Sequence, residues 1–403
     1  MNGKETELTR RGFLGRAATG LAAASLATLT PGRLGAAEIK GDIKEIITRK
    51  LGKNGMEVPV ISMGVMNANN PSVVQASYER GVRLFDTAAY YQFGRNELMV
   101  GSVISKLGVR DKVVIGTKIY TSQQRVADPK EAKKKFIKLA EGSLSRLKTD
   151  YVDILYVHDV SAAEDFNNPG ILEAITVLKE QKKIKLAGVA THSNMAGVLN
   201  AVVDGGFYDT ALIGVNFTQA DDADYIKAIK KASDNGVGLV GMKNLAGGSR
   251  WPNPETRRIY SSETIAKAAL KWVLNLNGMT TCIPGYDNHE HLEQNFSVAY
   301  DLEYTDDEKK FLADNNVAVS MGYCRQCKKC LASCPNDVDV PTLMRVHMYT
   351  AQYTNFIHAR QTLNDIPSKN NLTNCSLCTT CTAKCANSVD IGRRIDELKL
   401  IYA

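Results

Sequence analysis

Between Ile46 and about Val317, short apolar runs alternate with longer stretches in which apolar residues recur every three or four positions. The short runs read as buried strands and the longer ones as amphipathic helices. The predicted strands are Val58–Met66, Val82–Thr87, Val113–Thr117, Val152–Val157, Lys185–Ala190, Ala211–Phe217, Val237–Met242 and Thr280–Pro284. Helical patterns between them include Lys130–Leu147, Ile171–Gln181, Ala223–Asn235 and Ser262–Asn275. Gly81, Gly205-Gly206 and Asn235-Gly236 stand where helices should stop, because glycine takes the left-handed backbone of a helix end at little steric cost. Eight strands separated by helices over about 270 residues predict a (β/α)8 TIM barrel of the α/β class. The runner-up, an open doubly wound sheet, lacks its GxGxxG turn after the first strand.

Composition changes this picture at the two ends of the chain. The 403 residues are 44% apolar and 23% charged, which is ordinary for a globular protein and excludes a disordered or collagen-like chain. Residues 1–37 read instead as an export signal. Thr9-Arg10-Arg11-Gly12-Phe13-Leu14 is a twin-arginine pattern, and Ala17–Leu29 is an uncharged run too short for the ~20 residues of a membrane span. Gly35-Ala36-Ala37 supplies small residues for cleavage, so the mature chain is expected to start near Glu38. Such a signal is an address read by the twin-arginine export machinery, so a periplasmic location is expected. Five Lys/Arg and two Glu leave with the segment, taking the net charge from +7 to +4. Basic runs with interleaved aromatics are missing, so no nucleic-acid partner is expected, and no further stretch is suited to span a membrane.

The nine cysteines divide the chain again. The first 281 residues hold none, Cys282 stands alone, and eight fall between Cys324 and Cys385. Cys324-x2-Cys327-x2-Cys330-x3-Cys334 is repeated as Cys375-x2-Cys378-x2-Cys381-x3-Cys385. This is the bacterial-type spacing for [4Fe–4S] clusters. Disulfides and structural zinc are the other readings; four such close cysteines would make cramped disulfides, and zinc sites usually join two CxxC units across a longer gap. In two-cluster runs the fourth cysteine ligates the other cluster. One cluster would then use Cys324, Cys327, Cys330 and Cys385, and the other Cys375, Cys378, Cys381 and Cys334. Pro341–Leu363, between the runs, reads as one helix, and the region resembles an α-helical dicluster ferredoxin. The expected organisation is a signal over 1–37, a barrel over 46–312 and a ferredoxin-like domain over 313–403. Cys282, on the predicted last strand, reads as a small buried apolar residue.

Barrel enzymes carry their chemistry at the C-terminal ends of the strands. Three consecutive predicted strands end in ionisable residues: Asp86, with Tyr90-Tyr91 just after it, then Lys118, then His158. Each alone reads as a helix cap, a surface lysine or a buried histidine. On one rim they suggest a tyrosine acid whose proton affinity is set by neighbouring charge.

Phe85-Asp86-Thr87-Ala88-Ala89-Tyr90-Tyr91, Lys118 and His158 resemble the aldo/keto reductase family. So do the opening Leu51-Gly52-Lys53-Asn54-Gly55 and the late Ile283-Pro284-Gly285 followed by Asn295. The resemblance spans roughly residues 46–312. It implies that Tyr91 donates a proton to a carbonyl oxygen and that Lys118 lowers the tyrosine's pKa. Asp86 would pair with Lys118, His158 would orient the carbonyl, and a nicotinamide would deliver hydride. Asn216, Lys243, Gly285 and Asn295 are the matching candidates for contacting that cofactor.

The match is incomplete around the nicotinamide. Ala190-Thr191-His192 replaces a Ser-Asn pair, Lys243 stands where a tyrosine would stack, and His291 occupies a usual arginine position. A 2′-phosphate needs charge-assisted donors, so NADP is disfavoured while NAD, or no nicotinamide, stays open. The resulting expectation is an exported iron–sulfur oxidoreductase. It would interconvert a small carbonyl compound and its alcohol and exchange electrons with a redox partner protein or carrier. Two alternatives stand beside it. One is an electron-transfer or interaction subunit with a non-catalytic barrel. The other is a lyase or isomerase using His192 and Lys243, with structural clusters.

Overall fold

The computed structural model describes residues 45–53, 55–120, 128–247, 254–314, 316–317 and 321–402. The expected export segment lies outside them. Thr48–Leu51 (β1) pairs antiparallel with Met56–Pro59 (β2). Eight strands follow: Met63–Gly64 (β3), Leu84–Asp86 (β4), Val114–Tyr120 (β5), Val152–His158 (β6), Ile184–Thr191 (β7), Thr210–Gly214 (β8), Gly238–Met242 (β9) and Met279–Cys282 (β10). They pair in chain order, all parallel. Parallel bridges Ile61–Cys282 and Gly64–Gly285 bring the ends together, with Ser62 N donating to Cys282 O at 2.8 Å. This is the expected (β/α)8 barrel, nearly closed.

Two expected elements differ. Val58–Met66 is not one strand, because Met56–Pro59 pairs with β1 in a hairpin and only Met63–Gly64 enters the barrel. That hairpin contributes Leu51 and Val58 to an apolar cluster with Leu84, Tyr156, Leu212 and Val240 from the barrel strands. It therefore plugs the barrel. The helix expected over Pro341–Leu363 is also broken. Val340–His347 runs into a wider π turn, Met348–Gln352, and a new helix, Phe356–Asn364, begins after Thr354 at φ 50°. The break is held by Asn355, whose side chain caps His358 N at 3.0 Å and donates to Asn67 Oδ1 at 2.9 Å.

The helices start where local chemistry favours it. Asn70-Pro71, Asp128-Pro129 and Asn168-Pro169 each place a capping side chain before a proline at the first helical position. The outer strand faces pack against these helices in the largest apolar cluster, which includes Cys282, fully buried as expected. A second cluster, around Leu343, Tyr349, Leu363 and Ile395, gathers the C-terminal helices. The described residues form one compact unit. Among the described residues, no helix is long and apolar enough to cross a membrane.

Candidate active site

Parallel pairing aligns the ends of β4, β5 and β6, bringing Asp86, Lys118 and His158 to one rim. Lys118 Nζ donates to Asp86 Oδ1 and, at 2.6 Å, to Thr87 O. It lies 3.4 Å from the Tyr91 hydroxyl and 4.9 Å from the ring centroid. Tyr91 opens a tight turn, Tyr91–Gly94, in which Gln92 and Phe93 hold φ values of 52° and 57°. Bulky residues rarely adopt this left-handed backbone, so the turn is strained where it aims Tyr91 inward. Behind it, buried Glu97 accepts from Thr117 Oγ1 at 2.5 Å and from Arg146 Nε at 2.7 Å, tying the next helix to β5. The Tyr91 and His158 rings stand edge-to-face, centroids 6.0 Å apart. All four residues of the expected catalytic set thus meet.

Their protonation states follow from burial. The Tyr91 hydroxyl is held well above its ordinary range by burial, then by the carboxylates of Asp86 and Asp159. Burial thus outweighs the lowering expected from Lys118. Asp86 neutralises that ammonium, and enclosure penalises phenolate more than the pair favours it. Burial also lowers Lys118 and raises Asp86, each opposed by its partner. His158 is pushed down to about 3 by burial and by Lys118, so its imidazole is neutral at neutral pH.

On one side of Tyr91 lies a groove of about 350 Å³. Lys243, Gly285 and Asn295, three of the four expected cofactor contacts, line it. Asn216 does not. It is fully buried and bonds inward, donating to Lys243 O at 3.2 Å and accepting from Thr218 Oγ1 at 2.7 Å. The sequence pattern missed Asn244, which lines the groove and whose buried Oδ1 has no partner. Lys243 sits at φ 59°, its Nζ 4.8 and 5.0 Å from the ring centroids of Tyr349 and Tyr353. Burial, then the charges of Arg345 and Lys118, bring its amine to about 7.

The C-terminal segment supplies further residues that no strand-end pattern could reveal. Arg345 bonds both carboxylate oxygens of Asp159, at 2.8 and 3.1 Å. His358 packs edge-to-face on Tyr91 with centroids 5.5 Å apart, and Asp365 accepts from the Tyr90 hydroxyl. A small pocket lined by His192, Lys243, Tyr323 and Cys324 adjoins the site.

None of the nine cysteines is joined in a disulfide. The eight in the tail fall into two groups. Burial raises Cys324 to about 12, and its thiol neighbours are Cys385, Cys330 and Cys327. Cys375, raised by burial to about 11, neighbours Cys334, Cys381 and Cys378. These are the crossed sets that the spacing predicts. Donors already point at sulfur: Gln326 Nε2 at 3.3 Å from Cys324, Asn336 Nδ2 at 3.0 Å from Cys378 and Asn387 N at 3.3 Å from Cys385. Among the described residues no His, Cys, Asp or Glu group converges as around a single ion. A four-iron cube takes its thiolates wider apart than a single ion does, one at each iron corner.

The aldo/keto reductase family model matches residues 65–260. A probable voltage-gated potassium channel subunit beta of Arabidopsis thaliana is 36% identical over 124 residues, covering 28% of this chain and 38% of that protein. An uncharacterised oxidoreductase of Bacillus subtilis is 25% identical over 223 residues, 49% of this chain and 66% of that protein. The chain thus spans less than two thirds of either relative's length. Among solved structures, an aldo-keto reductase from Bacillus halodurans in its holo form aligns with a TM-score of 0.55 at 20% identity, over 66% of this chain and 95% of that one. An aldo/keto reductase from Brucella melitensis aligns at 0.52 and 22% identity, over 66% and 98%. The barrel therefore has the aldo/keto reductase fold, and residues 65–260 match that family.

Proposed function

We propose that the protein is an exported iron–sulfur oxidoreductase of the aldo/keto reductase type, interconverting a carbonyl compound and its alcohol. The observation that carries this reading is the buried set in which Lys118 bonds Asp86 and Thr87 beside the Tyr91 hydroxyl, with His158 against the same ring. Tyr91 keeps its proton until a carbonyl oxygen draws it off as negative charge develops there. Lys118, fixed by two acceptors, favours that developing charge through the tyrosine, and neutral His158 can donate a hydrogen bond without bringing a charge. Reduction consumes two electrons and two protons, and the reverse reaction releases them.

The groove fits a nicotinamide nucleotide. Asn244 Oδ1, buried without a partner, is an acceptor for a carboxamide, and Gly285 and Asn295 lie along the same wall. Bound there, the cofactor would supply or accept hydride. Among the described residues, Lys243 and His291 are the only ones in the lining that can carry positive charge, and His291 is engaged with Asn288. NAD is thus favoured over NADP. The crossed cysteine sets would hold two [4Fe–4S] clusters, which supply one-electron exchange with an external carrier. Cys324 lines a pocket with Lys243 and His192, which supports a first cluster close to the reacting groups. A cofactor inserted before export accords with the twin-arginine signal of residues 1–37, the address of a periplasmic protein.

Turnover of a carbonyl and polyol panel by Tyr91→Phe tests the reading. A loss of about 10²-fold or more is expected; full activity on every substrate would sink it. Lys243 favours a second reading, a lyase or isomerase, because its near-neutral amine could attack a carbonyl. Borohydride trapping with mass spectrometry separates the two, since only that reading yields an adduct on Lys243.

A further inference from the structure

A second cavity, of about 370 Å³, lies across the barrel mouth from the groove. Tyr120, His158 and His192 wall it, and Arg345, Tyr349 and His358 of the C-terminal segment roof it. Resting on the reductase reading above, we propose that this roofed cavity is the substrate site. It takes an uncharged, hydroxyl-rich carbonyl compound or polyol, with His358 binding a hydroxyl near the reacting carbon.

Apart from exposed Lys328, the charged groups here are already engaged. Arg345 is held by Asp159 through two bonds. Asp165 Oδ2 accepts from Ser161 N at 2.7 Å and Ala162 N at 3.1 Å. Asp365 accepts from Tyr90, and Asp339 accepts from Thr342 N at 3.2 Å. Two cations, Arg345 and Lys328, face four carboxylates, Asp159, Asp165, Asp339 and Asp365. A carboxylate or phosphate ester entering this lining would meet an excess of negative charge.

The imidazoles remain. His158 and His358 are each 5% exposed, and the Nδ1 of each is buried without a partner. Neither ring makes a hydrogen bond to any described residue. Burial and the charges of Lys243, Arg345 and Lys118 hold both in the neutral form. A neutral imidazole offers one donor and one acceptor, which is also what a hydroxyl offers. The Tyr90 and Tyr120 rings, centroids 5.0 Å apart, and Tyr349, 4.4 Å from His358, add apolar faces for the C–H surfaces of such a molecule. His358 also packs on Tyr91, which lines the groove, while His158 walls this cavity, so both spaces border the same set of residues.

The test is calorimetric titration of the anaerobically purified, cluster-loaded Tyr91→Phe protein, whose turnover is expected to be about 10²-fold or more slower. D-sorbitol and D-glucose are the neutral probes and D-gluconate the acidic one. A neutral probe should bind at least about tenfold tighter than D-gluconate. Adding His358→Leu should weaken it about tenfold, the worth of one lost hydrogen bond, and His358→Gln should recover part of that. D-gluconate binding as tightly, no neutral probe binding at millimolar concentration, or an unchanged affinity in His358→Leu would each overturn the assignment. The probe series needs no His358 variant, so it decides even if that variant fails to fold. Binding without wild-type turnover would sink the reductase reading alone; turnover without this selectivity would sink the cavity assignment alone.

Discussion

At Lys118, Asp86, Tyr91 and His158, burial decides what each side chain can do. An ammonium 3.4 Å from a phenol would lower its pKa in isolation, but here Asp86 cancels most of that charge. Lys118→Met should therefore lower turnover by about 10²-fold or more while leaving Asp86 protonated and neutral, read as a carboxylic-acid band in infrared difference spectra. His158 gives a pH prediction. Its value drops from 6.5 to about 3 on folding, so between those limits the unfolded chain binds a proton that the folded chain does not. Stability falls as pH drops through that window, with Lys118, Asp159, Arg345 and Lys243 setting the local field. His158→Gln should remove one proton's share of the slope in urea midpoints between pH 7 and 5; an identical slope would contradict the assignment. The four residues were legible in the sequence because they stand at three successive strand ends. Their protonation states were not, because spacing says nothing about enclosure.

At the scale of elements, the strands and their connections follow from periodicity and capping, whereas the contacts between distant segments do not. Gly188 on β7 illustrates a constraint visible only in the fold: an added Cβ would stand 2.5 Å from the Tyr156 ring inside the barrel. Gly188→Ala should cost about 1–3 kcal/mol, measured by chemical denaturation. Asp159, at φ 57°, turns the chain after β6 and receives Arg345 from a helix 186 residues further on. Asn tolerates that backbone, so Asp159→Asn removes charge alone. It should destabilise by about 1–3 kcal/mol, because partly buried Arg345 loses the carboxylate that bonds it twice. Adding Arg345→Met should restore much of the loss; if the two effects simply add, the pair is not the cause.

At the scale of the whole molecule, the tail both groups its cysteines and roofs the barrel. The two crossed sets predict about eight iron and eight sulfide per chain after anaerobic purification. They also predict that Cys385→Ser and Cys324→Ser disturb one electron paramagnetic resonance signal, and Cys334→Ser and Cys375→Ser the other. Disturbance sorted by sequence run instead would show uncrossed ligation.

The alternation of apolar runs determined the barrel, since strand and helix periods are local properties that each segment carries. Cysteine spacing likewise determined two repeated thiol runs. Only the tertiary structure decided that Asn216 turns inward, that Tyr91 keeps its proton, and that Arg345, Tyr349 and His358 from the far end of the chain close over the strand ends. These outcomes depend on burial and on contacts across hundreds of residues, and neither is written in the order of side chains along a single element.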